Sequence, residues 1–157
     1  MQLNRAPTHV WCRVPGELFA VLTAALEIGR FSGGAFDIGV GDLVAFWGFG
    51  SQATGTDSSS LAAIIDAPGC PPHLCLELDP VQQRVRKLAA VTLDLSGIAK
   101  GFGVDELARV LVAHGVDHFL VSIDGELRAS GGKPDGSALV GGRREAANRS
   151  PRDGRRT

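Results

Sequence analysis

Apolar side chains recur at helical spacing between residues 15 and 30. In PGELFAVLTAALEIGR, Leu18, Val21, Leu22, Ala25 and Leu26 share one face, which predicts an amphipathic helix buried along that face. Pro15 suits the first turn, and Gly33-Gly34 end the segment. Periodicity then fails. Residues 35–50, AFDIGVGDLVAFWGFG, are apolar and broken by glycines, which predicts a loop with a short irregular segment. The polar run SQATGTDSSS at 51–60 can supply a cap for a short helix at 61–66. From residue 74 the pattern becomes β. LCLEL, Asp79-Pro80 as a turn and RVRKL predict a hairpin, and AVTLDL at 90–95 predicts a third strand. A second long helix follows at 98–113, with Leu107, Val110 and Leu111 inward and Gly115 as its stop. HFLVSI at 118–123 reads as a buried strand. Asp124-Gly125 is a hairpin turn signal, ELRAS at 126–130 the returning strand, and SALV at 137–140 the start of another.

At residue 141 the character changes. GGRREAANRSPRDGRRT carries six arginines in seventeen residues and nothing apolar larger than Ala. Such a segment cannot bury enough surface to offset its ordering entropy, so 141–157 reads as a disordered tail. A basic nucleic-acid arm is the sharper reading of the same arginines, and nothing in the body supports it. Residues 1–140 form the folded body, with no internal repeat.

Composition narrows the class. A chain of 157 residues that is 44% hydrophobic can build one core. A net charge of −1 gives no global pull toward nucleic acid or an acidic surface. The 21 glycines fit either turns and backbone-lined sites or a compositional bias. No segment approaches the roughly 20 apolar residues of a membrane span, and the N-terminus has no signal-peptide core, so the chain as written reads as cytoplasmic. Three cysteines, Cys12, Cys70 and Cys75, argue against a disulfide framework by their odd count. CPPHLC with His73 makes a poor metal knuckle: the spacing is wrong, no second pair exists, and two prolines make it a turn.

Chemistry concentrates at 94–103, DLSGIAKGFG. Ser96 can cap the helix that begins beside it, where unpaired N–H groups attract anions. Gly97 lets a ligand approach the backbone, and its carbonyl could face a cation. Lys100 opposes the helix dipole, so local stability does not explain it; an anion would. Asp94 adds a carboxylate within reach of a metal or a ribose hydroxyl. The glycines at 97, 101 and 103 match neither the P-loop nor the dinucleotide fingerprint. On spacing alone, a tight turn with a solvated lysine stays open beside the anion site.

The longer stretch DLSGIAKGFGVDELARVLVAHGVDHFLVSIDGELRASG resembles the signature region of the ApbE family, the FAD:protein FMN transferases. LNRAP at 3–7 and SGGAFDIGVGDLVAFWGFG at 32–50 resemble its upstream block, in the right order and spacing. The resemblance covers about residues 3–140. It implies an α+β fold, an ApbE-like mixed sheet with two main helices and an incomplete C-terminal half. It also implies a reaction: Mg²⁺-dependent transfer of FMN from FAD to a Ser or Thr hydroxyl of an acceptor flavoprotein, with release of AMP. By position, Gly97 resembles the residue whose backbone oxygen faces the metal, and Lys100 the lysine that contacts FAD, at its phosphates. Asp94 opens the same motif and Ser96 lies inside it. Trp47 and Phe49 stand in a block that would line the flavin side. Asp124-Gly125 fall where the family often has Gly-Gly, near adenine or ribose; Asp124 departs from that pattern. No catalytic residue is assigned.

Blander readings stand beside these. Trp47 and Phe49 suit a core, Asp37 a turn cap, and Asp105 and Glu106 a solvated helix face. His9, His73, His114 and His118 have no partner at a telling spacing, though His114 suits a last helical turn. The family's pattern continues well past this chain, into segments that supply further metal ligands. The arginine-rich tail reads like translation in a shifted frame, so the expectation is a truncated product, poorly stable alone and with little transferase activity. The alternatives are a non-catalytic flavin- or nucleotide-binding protein and an inactive remnant. Family members with a complete N-terminus are often exported or membrane-anchored.

Overall fold

Pro15 opens the first long helix with a φ of −56° and a ψ of 150°, and the chain then coils from Gly16 to Phe31. The computed structural model describes residues 2–49, 72–137 and 139. Their elements are α1 (Gln2–Arg5), β1 (Cys12–Arg13), α2 (Gly16–Phe31), α3 (Gly41–Phe46), α4 (Pro72–Cys75), β2 (Leu76–Asp79), β3 (Arg84–Lys87), α5 (Ser96–Ala113), β4 (Phe119–Ile123) and β5 (Glu126–Ser130). This is the expected α+β class with two main helices, α2 and α5. All strand pairing among the described residues is antiparallel. The chain divides into two compact units, Met1–Gly103 and Val104–Thr157. No helix among the described residues is long and apolar enough to cross a membrane. The expected helix at 61–66 and the arginine-rich tail lie outside the described residues, as does most of the expected strand at 137–140.

In the first unit the sheet order is β1-β3-β2. Four residue pairs, from Leu76–Lys87 to Asp79–Arg84, zip the expected hairpin together. It begins two residues later than expected because Pro72–Cys75 is a helical turn. At the tip, the Asp79 carboxylate accepts the N–H groups of Val81 (3.0 Å) and Gln82 (3.1 Å) and pairs with Arg84 at 2.8 Å. The Gln82 N–H above all holds the Asp79 carboxyl below its ordinary value. Trp11 lies under both Arg84 and Arg86, at 4.5 and 4.6 Å from its ring centre. Leu3, Leu22, Ala25, Ile38, Leu76, Val85 and Leu93 form the core. The face expected of the first helix holds: Val21, Leu22 and Ala25 are buried, and Leu18 and Leu26 pack against the core. Cys75 is buried and disulfide-bonded, so the odd cysteine count leaves room for a bridge; Cys12 is free.

Three helices stop by one device. After α2, Gly33 (φ 63°) donates to Arg30 and Gly34 to Gly29. After α3, Gly48 (φ 79°) donates to Ala45 and Phe49 to Val44. After α5, Gly115 (φ 76°) donates to Val112 and Val116 to Leu111. Each is a Schellman ending, with glycine taking the left-handed position that satisfies the last carbonyls. The middle one corrects the sequence reading: the Trp-Gly-Phe run is a helix stop, and the expected irregular segment contains the helix Gly41–Phe46.

The expected strand at 90–95 does not form. Its backbone groups bond to three separate places. Gly41 donates to Thr92 (2.9 Å), Asp94 donates to Ile38 (2.8 Å), and Leu93 exchanges both its bonds with the Asn4 side chain. Alternation marked an extended chain buried on one face, but a ladder needs a partner strand, which periodicity cannot supply.

In the second unit, β4 and β5 make the expected hairpin. Ile123 faces Glu126 across a two-residue turn. Asp124 (φ 50°) and Gly125 (φ 108°) both take the positive φ that such a turn requires. The expected burial is wrong. Of β4 only Phe119 is buried, so 118–123 is not a buried strand. On α5 the buried residues are Val104 and Ala108, while Leu107 and Val110 are over 40% exposed. The helix buries the face carrying its smaller side chains. His114 ends it as expected, its ring Nδ1 lying 2.8 Å from the Val110 carbonyl.

Candidate functional site

Helix α5 begins two residues earlier than expected. The Leu95 carbonyl accepts the first helical bonds, from Ile98 (3.0 Å) and Ala99 (2.8 Å). Asp94 acts as the side-chain cap: its Oδ1 accepts the Ser96 N–H at 2.9 Å. Ser96 is thus the first helical residue and not the cap, and Lys100 opens the second turn. Residues 96, 99 and 100 share a face at i, i+3 and i+4 spacing. That face looks onto an open cleft of about 440 Å³, lined by Asn4, Leu93, Asp94, Leu95, Ser96, Ala99 and Lys100. Three of the expected site residues, Asp94, Ser96 and Lys100, are therefore brought together.

The charge pattern favours an anion. Helix α5 has no acidic residue in its first turn, so its positive end is balanced only by the Asp94 cap. Lys100 adds a positive charge to the same wall. An isolated helix favours a lysine at its other end, so the dipole of α5 does not itself account for Lys100 here.

Gly97 does not line the cleft. A Cβ there would come within 3.3 Å of the Phe36 ring, so glycine admits that ring against the first turn. Phe36 belongs to the upstream motif and Gly97 to the downstream one, and this contact joins the two. The neighbouring Asp37 caps a turn, accepting the Gly39 N–H at 2.6 Å. Trp47 and Phe49 do not line the cleft either. They are 65% and 68% exposed, which overturns their reading as core residues. Trp47 meets Phe46 edge-on at 5.5 Å. Asp124 and Gly125 belong to the second unit, where they make the hairpin turn. There Asp105 and Glu106 are ion-paired, to Arg128 and Arg109 at 2.7 Å each.

Among the described residues, no group of three or more His, Cys, Asp or Glu side chains could hold a metal ion. The cleft offers hard oxygens from Asp94 and Ser96, the right chemistry for Mg²⁺ but fewer than its six positions. Mg²⁺ commonly completes its shell with phosphate oxygens and water, so these donors fit an ion that arrives with a phosphate ligand.

Asn4 was missed by sequence reasoning. Its side chain donates to the Leu93 carbonyl at 2.9 Å and accepts the Leu93 N–H at 3.0 Å, spanning 89 residues of sequence. No local signal marks a long-range amide clamp; only its place in LNRAP set it apart.

Comparison with known proteins gives a consistent result. A model described as the ApbE family matches residues 1–148. A Vibrio cholerae protein named FAD:protein FMN transferase is 33% identical over 129 residues, covering 78% of this chain and 36% of that protein. One of the same name from Klebsiella pneumoniae is 34% identical over 143 residues, covering 85% and 40%. Among solved structures, Pseudomonas stutzeri flavinyl transferase ApbE in its apo form superposes with a TM-score of 0.74 at 34% identity, covering 87% of this chain and 45% of that one. Flavin transferase ApbE from Vibrio cholerae superposes with a TM-score of 0.76 at 30% identity, covering 87% and 44%. The chain thus spans roughly two fifths of the length of these curated relatives.

Proposed function

The chain belongs to the ApbE family, and from that premise we propose that its cleft is the FAD-phosphate wall of an FAD:protein FMN transferase. In this reading the hydroxyl oxygen of an acceptor Ser or Thr bonds to the FMN phosphorus. The bond from that phosphorus to the bridging oxygen breaks, AMP leaves with that oxygen, and the hydroxyl proton is lost. Mg²⁺, when bound with the diphosphate, would neutralise charge on its oxygens. The chain's own part is positioning and electrostatics, which dominate phosphoryl transfer. Lys100 and the open end of α5 receive the diphosphate. Asp94 keeps its cap on Ser96 and offers its second oxygen to the ion or to a ribose hydroxyl, with Gly97 bringing its backbone to the same end. Trp47 and Phe49, both exposed, would stack on the flavin.

The observation that carries this reading is the convergence of Asp94, Ser96 and Lys100 on one open cleft at the start of an 18-residue helix. The test is direct. The chain is incubated with FAD, Mg²⁺ and an acceptor flavoprotein, and the acceptor is weighed. A mass gain of one FMN supports transfer. FAD binding without that gain favours the second reading, a flavin-binding protein. No binding refutes both.

A further inference from the structure

One chain of polar contacts runs from the sheet to the cleft wall and is not absorbed by ligand binding. It starts at Lys87, the one charged side chain buried among the described residues, at 6% exposure. A buried ammonium is costly unless it donates hydrogen bonds. Lys87 lies at the end of β3 and its Nζ donates to the backbone carbonyl of Asn4 at 3.1 Å. The Asn4 carboxamide then closes both of its bonds on the Leu93 backbone. Leu93 precedes Asp94, whose carboxylate caps α5.

Residues 90–95 have no strand beside them, so this clamp stands where a ladder would be. Without it, Leu93 would expose a donor and an acceptor, and among the described residues the backbone here would keep only the Gly41–Thr92 and Asp94–Ile38 bonds on either side. The two bonds hold the two peptide units that flank Leu93, one by its N–H and one by its C=O, which a single contact would not do.

We propose that Asn4 is a positioning residue of the cleft: with its backbone carbonyl held by Lys87, its carboxamide sets the backbone of 93–96 and so the aim of Asp94 and the first turn of α5 at a diphosphate ligand. This inference rests on the reading of the cleft as the FAD-phosphate site, and the test separates the two.

The full chain is titrated with FAD in Mg²⁺ by flavin fluorescence, as wild type, Asn4→Ala, Lys100→Ala and the double variant. Backbone amide exchange is followed at Leu93, Ser96 and Val85. Positioning predicts that Asn4→Ala weakens FAD binding by about tenfold, the scale of one well-made polar interaction. Exchange accelerates at Leu93 and Ser96 while Val85, in the centre strand, keeps its protection. The double variant binds within about threefold of Lys100→Ala, because two residues serving one ligand are coupled. Equal losses in both backgrounds would mean that Asn4 acts independently of Lys100, and would overturn the inference. Unchanged affinity in Asn4→Ala would also overturn it and leave the proposed function standing. If wild type does not bind FAD, the proposed function fails, and exchange alone decides: acceleration confined to 93–96 supports the clamp, and no change refutes it. If Asn4→Ala is not recovered folded, Asn4→Asp takes its place. It keeps the shape and the acceptor for Leu93 N–H but loses the donor, and the same selective acceleration is expected; its absence overturns the inference.

Discussion

Gly41 and Gly101 are both helical glycines of the first unit, yet Ala should act on them in opposite directions. A Cβ at Gly41 would sit 2.7 Å from the Thr92 carbonyl oxygen, 2.7 Å from its Cγ2 and 2.9 Å from its carbonyl carbon. Ordinary contact begins at 3.4 Å, so about 0.7 Å must be found. Two of those three atoms are backbone, and the Gly41 N–H is itself bonded to the Thr92 carbonyl at 2.9 Å. The strain cannot be relieved by rotating a side chain. Overpacking of this kind costs about 1–3 kcal/mol, and stretching the hydrogen bond adds about 1 kcal/mol. The propensity gain from Gly to Ala is at most about 1 kcal/mol, so Gly41→Ala should destabilise by about 2 kcal/mol. At Gly101 a Cβ meets nothing within 4 Å. Gly101→Ala should therefore stabilise by about 0.5–1 kcal/mol. Urea denaturation of both variants beside wild type reads the difference. If Gly41→Ala is as stable as Gly101→Ala, residues 91–95 do not press on α3, and the account of the cleft wall fails with them.

Val104→Ala should cost about 2 kcal/mol in denaturant and Leu107→Ala less than about 1 kcal/mol, reversing the order that the sequence pattern suggests. Gly131 combines a φ of 69° with a hypothetical Cβ that would clash with the His118 ring, so Gly131→Ala should destabilise the second unit, read by amide exchange across β4 and β5. The folded Asp79 carboxyl titrates below its ordinary 3.8. Its stabilising contribution is full above that value and is lost as pH falls through the lower folded one. The gap in stability between wild type and Asp79→Ala should accordingly close on acidification below about pH 4, as urea midpoints across a pH series would show.

What could be read from the sequence was local chemistry. Gly33 and Gly115 announced the ends of α2 and α5, Asp124-Gly125 announced its turn, and Asp79-Pro80 announced the hairpin, because each acts through neighbours a few residues away. Gly48 carries the same signal, but a six-residue helix shows too few turns to reveal a period. The inward face of α5 differs from the expected one for another reason: large side chains are not the buried ones, and Val104 and Ala108 are what this unit encloses. Residues 90–95 and Asn4 were out of reach. Their bonds join positions 51 to 89 residues apart, and no pattern along the chain records such pairings. At the cleft, residue types and spacing nominated Asp94, Ser96 and Lys100, and the fold sets them side by side. Gly97 was nominated with them, but the contact it makes is with Phe36.

The most direct measurement is the map of backbone amide shifts when FAD and Mg²⁺ are added to the full chain. If the cleft is the phosphate site, the largest shifts fall at Ser96, Gly97, Ala99 and Lys100, with a smaller set at Asn4 and Leu93, and Lys100→Ala suppresses them. Shifts that leave 93–100 unmoved, or that survive Lys100→Ala at full size, would contradict it.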